Sequence, residues 1–254
     1  ERMKIHSDCS GNSLRQLQIH FLFSRYRSAS DVRQAELMVS HDISRRSILL
    51  GLAGTGAGIC VLPRRAVAAD FSAAEQIPVE LFQDAQELEG AVQLGHPHGD
   101  VVMIEFFDYN CPWCRRSAVD LPQLLKSEPN LSYILVNFAI LGQASAEATR
   151  VALGYRHIAG SKKYLPLHQA IFDLRGRING ERALGEAVKL GIPQDKLIAT
   201  AESDRISLQM KEALKVGNSL GFSITPSFAF GNEAYPGSIT YAEKRAIIAR
   251  QRQG

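Results

Sequence analysis

From residue 79 onward, apolar and polar positions fall into a readable order of elements. Residues 79–94 carry Val79, Leu81, Phe82, Leu88 and Val92 at loose helical spacing, which predicts a helix. Residues 96–100, His-Pro-His-Gly-Asp, read as a turn. Residues 101–107 are a short apolar, β-rich run interrupted by Glu105. Residues 131–141 hold a second run of this kind, a strand and its exit. The stretch between them, 115–126, is patterned as a helix. Two apolar strands with a helical crossover predict a parallel pair joined in the right-handed sense.

Residues 143–220 read as helices throughout, at 144–159, 162–174, 181–190, 194–201 and 207–220. The clearest breaks are at 176–180 and 191–193, where Gly and Pro cluster. Residues 227–230, a Gly231-Asn232 turn and residues 233–235 predict a β-hairpin. Residues 241–252 form a last amphipathic helix, with Tyr241, Ala242, Ala246, Ile247 and Ile248 as its apolar positions. The order is thus β, α, β, a helical block, a hairpin and a helix. It predicts an α/β thioredoxin-like fold carrying an all-helical insertion after its second core strand. The expected organisation is a short segment at 70–99, a thioredoxin-like domain at 100–142 and 221–254, and the insertion at 143–220.

The first 69 residues differ in composition. They hold 10 Lys and Arg against 5 Asp and Glu, a net +5, whereas residues 70–254 hold 19 against 21, a net −2. The whole-chain charge of +3 therefore comes from the N-terminal section. The body has no basic bias of the kind nucleic-acid binding requires. Residues 1–37 lack a sustained period, and Met38 is the candidate true start, with 1–37 an upstream extension. Residues 38–69 have the three parts of an export signal. Arg45-Arg46 leads into an apolar run at 48–62, and 63–69 ends in small residues, with cleavage expected near Ala68 or Ala69. The apolar run is short for a membrane span. The segment resembles a twin-arginine signal, and a general secretory signal is the alternative. Either route ends outside the cytoplasm, and the periplasm is the expected location. Gly54 to Gly58 and Cys60 fall inside this signal. Neither has the context of a phosphate loop or a lipid-attachment site.

Cysteine usage sharpens the reading. The chain has four cysteines, Cys9, Cys60, Cys111 and Cys114, and removal of the signal leaves only the last two. One close pair is not a disulfide-stapled scaffold. Cys-x-x-Cys after a strand and at the first turn of a helix is a redox arrangement. The competing reading is half of a zinc site, which would need a second ligand pair that the body does not offer. His96 and His98 have no further ligands around them and read as a solvated loop. No metal is expected.

A helix N-terminus favours a thiolate, so Cys111 is expected to be the exposed nucleophile and Cys114 the buried resolving thiol. Pro112 suits a first helical turn, since its missing N–H would be unpaired there anyway. Stabilising the Cys111 thiolate makes the disulfide a stronger oxidant. Glu105 admits two readings, an edge position facing solvent or a buried carboxyl that exchanges a proton with Cys114. On residues alone, Pro226 after Thr225 reads as an ordinary trans proline.

Glu-Phe-Phe-Asp-Tyr-Asn-Cys-Pro-Trp-Cys-Arg-Arg at 105–116, the helical insert, Ser-Ile-Thr-Pro-Ser-Phe at 223–228 and Tyr-Pro-Gly at 235–237 resemble the DsbA-like thiol–disulfide oxidoreductases of bacteria. The likeness spans about residues 78–252. It implies a redox-active Cys111–Cys114 disulfide, with no other cofactor, passed to substrate cysteines through a mixed disulfide. It places Glu105 at the family's buried acidic position and makes Pro226 a cis-proline facing the disulfide. Thr225 would offer its backbone to an extended peptide, with Trp113 beside it. Expected partners are unfolded or reduced exported polypeptides and a DsbB-like membrane quinone reductase, and the protein is expected to be a monomer. Pro112-Trp113 departs from the Pro-His of the best-known oxidases, and Thr precedes the proline. Both bear on redox potential and substrate choice. The alternatives are a disulfide isomerase or reductase kept reduced by a membrane thiol reductant, and a peptide-binding chaperone.

Overall fold

The computed structural model describes residues 74–253. The expectations for the extension at 1–37 and the export signal at 38–69 lie outside them.

The centre is a six-stranded mixed sheet in the order β1-β6-β5-β3-β4-β2. Its strands are β1 (Glu75–Gln76), β2 (Val92–Gly95), β3 (Val101–Phe107), β4 (Leu131–Asn137), β5 (Ser227–Phe230) and β6 (Glu233–Pro236). β3 and β4 pair in parallel, as the crossover pattern predicts, and the helix between them is α2 (Pro112–Ser127). β5 returns antiparallel to β3, and β6 folds back on β5 through Gly231, which has φ 56°. A two-residue turn needs this left-handed backbone, and glycine adopts it without steric cost.

Both central strands are buried on both faces, so they read as continuous apolar runs rather than alternating ones. Phe106 lies edge-on to Phe138 at 5.7 Å and to Phe222 at 5.2 Å, joining strand, strand exit and insert exit in one core.

The helical block comprises α3 (Gln143–Ala159), a 3₁₀ turn at Ser161–Lys163, α4 (Tyr164–Asp173), α5 (Gly180–Lys189), α6 (Gln194–Ala201) and α7 (Asp204–Ser219). Caps mark two of its starts, with Asn179 accepting from the Arg182 N–H and Ser203 from that of Ile206. α3 is the hub, packed against α4, α5, α6 and α7. α7 reaches the sheet core at Gly217, where a Cβ would lie 2.5 Å from the Phe138 ring. α8 (Tyr241–Gln251) closes the chain behind a capping box of Thr240 and Glu243.

Two expectations need correction. The helix starting at Val79 is α1 (Val79–Gln86) and stops there, while Val92–Gly95 is an edge strand antiparallel to β4. Four residues at an edge give too short an alternation to separate from helical spacing. On α8, Ala242 and Ala246 face solvent, whereas Lys244 is buried beside Ile247 and Ile248. The two-residue β1 also forms, because β6 offers it an open edge.

Candidate active site

β3 ends at Phe107 and delivers a loop that is fixed before the first cysteine. Asp108 is fully buried, and its carboxylate accepts from the Asn110 N–H at 2.8 Å, the Leu141 N–H at 3.0 Å and the Ser145 hydroxyl at 2.7 Å. Asn110 then donates to the Ile178 carbonyl at 2.8 Å and accepts from the Ile178 N–H at 2.8 Å. Strand exit, β4 exit and helical block are thereby tied to one loop. A buried carboxylate satisfied by three donors costs little and fixes the backbone on which Cys111 sits.

Cys111 is the N-cap of α2, and its sulfur accepts from the Cys114 N–H at 3.4 Å. Pro112 occupies the first helical position. The two cysteines are free thiols here. Thr225-Pro226 is a cis peptide, and it brings the Thr225 carbonyl against the dithiol, where the Cys111 thiol donates to it at 3.0 Å. The trans reading from residues alone is overturned. Cys111 is also less open than expected, with 5% of its surface exposed. Trp113, the outward residue of the dipeptide, is 59% exposed.

The two thiols have opposite electrostatics. Hydrogen bonding from Cys114, then from Thr225 and the N–H groups of Cys114 and Trp113, lowers the Cys111 pKa from 9.0 to about 6 against the cost of burial. Burial pushes Cys114 well above the ordinary thiol range, helped by Cys111 and by the charge of Glu105. The Asp108 N–H, 3.5 Å from the Cys114 sulfur, pulls the other way. The Thr225 hydroxyl is buried and makes no hydrogen bond, which leaves it as a donor for a Cys111 thiolate.

Glu105 lies behind Cys114. Its neighbours in the sheet are Leu135 on one side and Phe228 on the other, so it is not at an edge, and only 2% of it is exposed. The solvent-facing reading fails, because alternation cannot tell a central strand from an edge. The Tyr133 hydroxyl donates to the Glu105 carboxylate. On the other side of the loop, His168 sits among Phe107, Tyr109, Phe172 and Tyr164, where burial lowers its pKa to about 3. It is a neutral packing residue.

The comparisons with known proteins agree with this geometry. The thioredoxin family model matches residues 87–250, which is most of the described chain. The chain belongs to the thioredoxin family. A thioredoxin-like oxidoreductase from Silicibacter pomeroyi is 30% identical, with a TM-score of 0.63 over 68% of this chain and 98% of that one. The thiol–disulfide exchange protein alpha-DsbA2 of Wolbachia pipientis shares the fold at 23% identity, with a TM-score of 0.62 over 67% of this chain and 91% of that one. A periplasmic thioredoxin-like protein from Salmonella enterica serovar Typhimurium does so at 19% identity, with a TM-score of 0.61 over 71% of this chain and all of that one. The DsbA-like build expected from the motifs is therefore present, helical insertion included. Among the curated proteins, no sequence match is found.

In this thioredoxin-family chain, Cys111, Cys114, Thr225, Pro226 and Glu105 converge at one end of the sheet, with Pro112 and Trp113 capping the cluster. The motif reading did not single out Asp108, Asn110, Ser117, Tyr133 or Lys244. Lys244 had a signal in the sequence, since it shares a helical face with Ile247 and Ile248.

Proposed function

We propose that the protein is a thiol–disulfide oxidoreductase of exported proteins, acting in the periplasm through the Cys111–Cys114 pair. The observation that carries this reading is the split of the two thiols, one lowered to about 6 and the other raised, across a single helical turn. At neutral pH Cys111 is mostly thiolate and Cys114 is not. Only the outer sulfur is then a nucleophile and a good leaving group.

The oxidase cycle follows. A substrate thiolate attacks the Cys111 sulfur of the disulfide, and the Cys111–Cys114 bond breaks, with its electron pair going to Cys114, which is protonated. A second substrate thiolate then attacks the first substrate sulfur. Cys111 leaves as a thiolate, stabilised by the N-terminus of α2 and by Thr225. Two substrate thiols have become a disulfide, and the protein dithiol has gained two electrons. Reoxidation by a DsbB-like quinone reductase completes the cycle. The substrate chain lies along Thr225 as an added strand, with Trp113 and the half-exposed Ile224 as apolar contacts. The cycle is complete with one Cys111–Cys114 pair, and the proposed working form is the monomer.

A second reading, reductase or isomerase, is favoured by one observation. A pKa of about 6 for Cys111 lies nearer to the roughly 7 of thioredoxin than to the roughly 3.5 of DsbA. The reduction potential of Cys111–Cys114 in a glutathione buffer decides. An oxidase lies well above thioredoxin's roughly −270 mV, toward DsbA's roughly −120 mV. A potential near thioredoxin's, together with rescue of scrambled substrates, establishes the second reading.

A further inference from the structure

Behind the dithiol lies a polar chain that the exchange chemistry above does not use. Lys244 of α8 is fully buried, with its ammonium 4.9 Å above the ring of Phe228. Phe228 is the cross-strand neighbour of Glu105. The Lys244 ammonium donates to the Ser117 hydroxyl at 2.6 Å. Burial and then Glu105 push the Tyr133 pKa up, and Ser117, on α2 one turn beyond Cys114, opposes that shift as a nearby donor does. Tyr133 in turn donates to Glu105. Among the described residues, no carboxylate lies within ion-pair distance of Lys244. A buried ammonium without an ion-pair partner is costly to fold around, and such groups cluster at functional sites.

An ammonium has three donors and no acceptor. Lys244 therefore donates to one of the two Ser117 lone pairs, and the Ser117 proton is free to turn toward Tyr133. Tyr133 then has one proton left to give, and it gives it to Glu105. A Ser117 proton turned that way aligns the donors from Lys244 to the Glu105 carboxylate.

We propose that Lys244, acting through Ser117 and Tyr133, is a positioning residue that keeps Glu105 a proton acceptor for Cys114. The proposal rests on the thiol–disulfide reading above and assigns it a part from the C-terminal helix. The step it governs is resolution. The Cys114 thiol gives its proton to the Glu105 carboxylate, directly or through one water. The Cys114 thiolate attacks the Cys111 sulfur of a mixed disulfide. The bond from Cys111 to its partner breaks, the partner leaves as a thiolate, and the Cys111–Cys114 disulfide forms. The charged and titratable groups that act on Lys244 are Glu105 from β3, and Cys114 and Asp120 from α2, with Tyr133 of β4 beyond Ser117. Burial lowers the Lys244 pKa, and Glu105, Asp120 and Cys114 oppose that shift. Attack by Cys111 itself lies outside this chain, because the groups that chiefly set its pKa are Cys114, Thr225 and the Trp113 N–H.

The test uses oxidised glutathione as the probe. Reduced protein attacks it to give a Cys111–glutathione mixed disulfide and one glutathione, and Cys114 then closes the ring and releases the second. Stopped-flow separates the two steps across pH. Lys244→Met is expected to slow closure about tenfold or more at neutral pH, the equivalent of one pKa unit, and to move its pH profile upward. The rate of mixed-disulfide formation stays within about twofold. Ser117→Ala keeps the charge but cuts the chain. It shows the same one-sided loss, and it decides the matter if Lys244→Met does not fold. Equal slowing of both steps, or closure with an unchanged pH profile, overturns the proposal in favour of a packing role. Failure of the unmodified protein to form the mixed disulfide instead overturns the thiol–disulfide reading itself.

Discussion

The two sides of the first turn of α2 hold the same functional group in opposite states. On the outer side, Cys111 meets N–H donors and the cis-proline loop, and its pKa falls to about 6. On the inner side, three residues later, Cys114 meets β3, β4 and a buried carboxyl, and its pKa rises. Neither state belongs to cysteine as such. Helix-end N–H groups favour the anion, and removal from water disfavours it. One turn of helix is enough to cross from one regime to the other, so a four-residue motif can carry both an attacking and a resolving thiol.

Removing either sulfur breaks the comparison most severely. Cys111→Ser is expected to abolish disulfide exchange, while Cys114→Ser retains attack and accumulates mixed disulfides that survive non-reducing gels. Transfer activity in Cys111→Ser would remove the assignment of the outer nucleophile. Next in size is the inner carboxyl. Glu105→Gln keeps the shape and loses the base, so resolution slows by about 10²-fold, the lower range for general acid–base catalysis, as read from single-turnover kinetics. An unchanged resolution rate would mean that Glu105 only packs.

The pH dependence of stability separates the two redox states. The Cys111 pKa is lower in the folded reduced protein than in the unfolded chain. The reduced form therefore gains stability relative to the disulfide form as pH rises from about 6 toward 9, and loses it as pH falls through about 6. Melting curves of both forms across this window check the sign. The smallest effect is expected at the loop. Thr225→Val removes the one unpartnered hydroxyl beside Cys111. It raises the Cys111 pKa by less than about one unit, which is under about 1.4 kcal/mol, as read from the thiolate absorbance.

Legibility in the sequence followed the range of the interactions. The strand–turn–helix around Cys111 and Cys114 is local, and its apolar run, proline and spacing announced it. The helical block was also legible, because Gly and Pro mark its joints. The strand at Val92–Gly95 was not, since its pairing partner, β4, is 43 residues away in the register Val92 to Leu135 and its own pattern is too short. Glu105 left two readings open, as its burial depends on which strands flank β3. The cis form of Thr225-Pro226 came only from the family likeness. Lys244 and Tyr133 were passed over for a shared reason. A lysine on an amphipathic helix reads as solvated, and a tyrosine in an apolar strand reads as core. Their roles appear only once α8 and β4 are folded against α2.

The central claim is the split of two chemically identical thiols by one turn of helix. Alkylation of the reduced protein with iodoacetamide across pH, with each cysteine quantified by peptide mass spectrometry, tests it directly. The account predicts that Cys111 reacts with a midpoint near 6 while Cys114 stays unmodified past pH 9. Similar midpoints for both cysteines, near the roughly 8.5 of a free thiol, or prior labelling of Cys114, would contradict it.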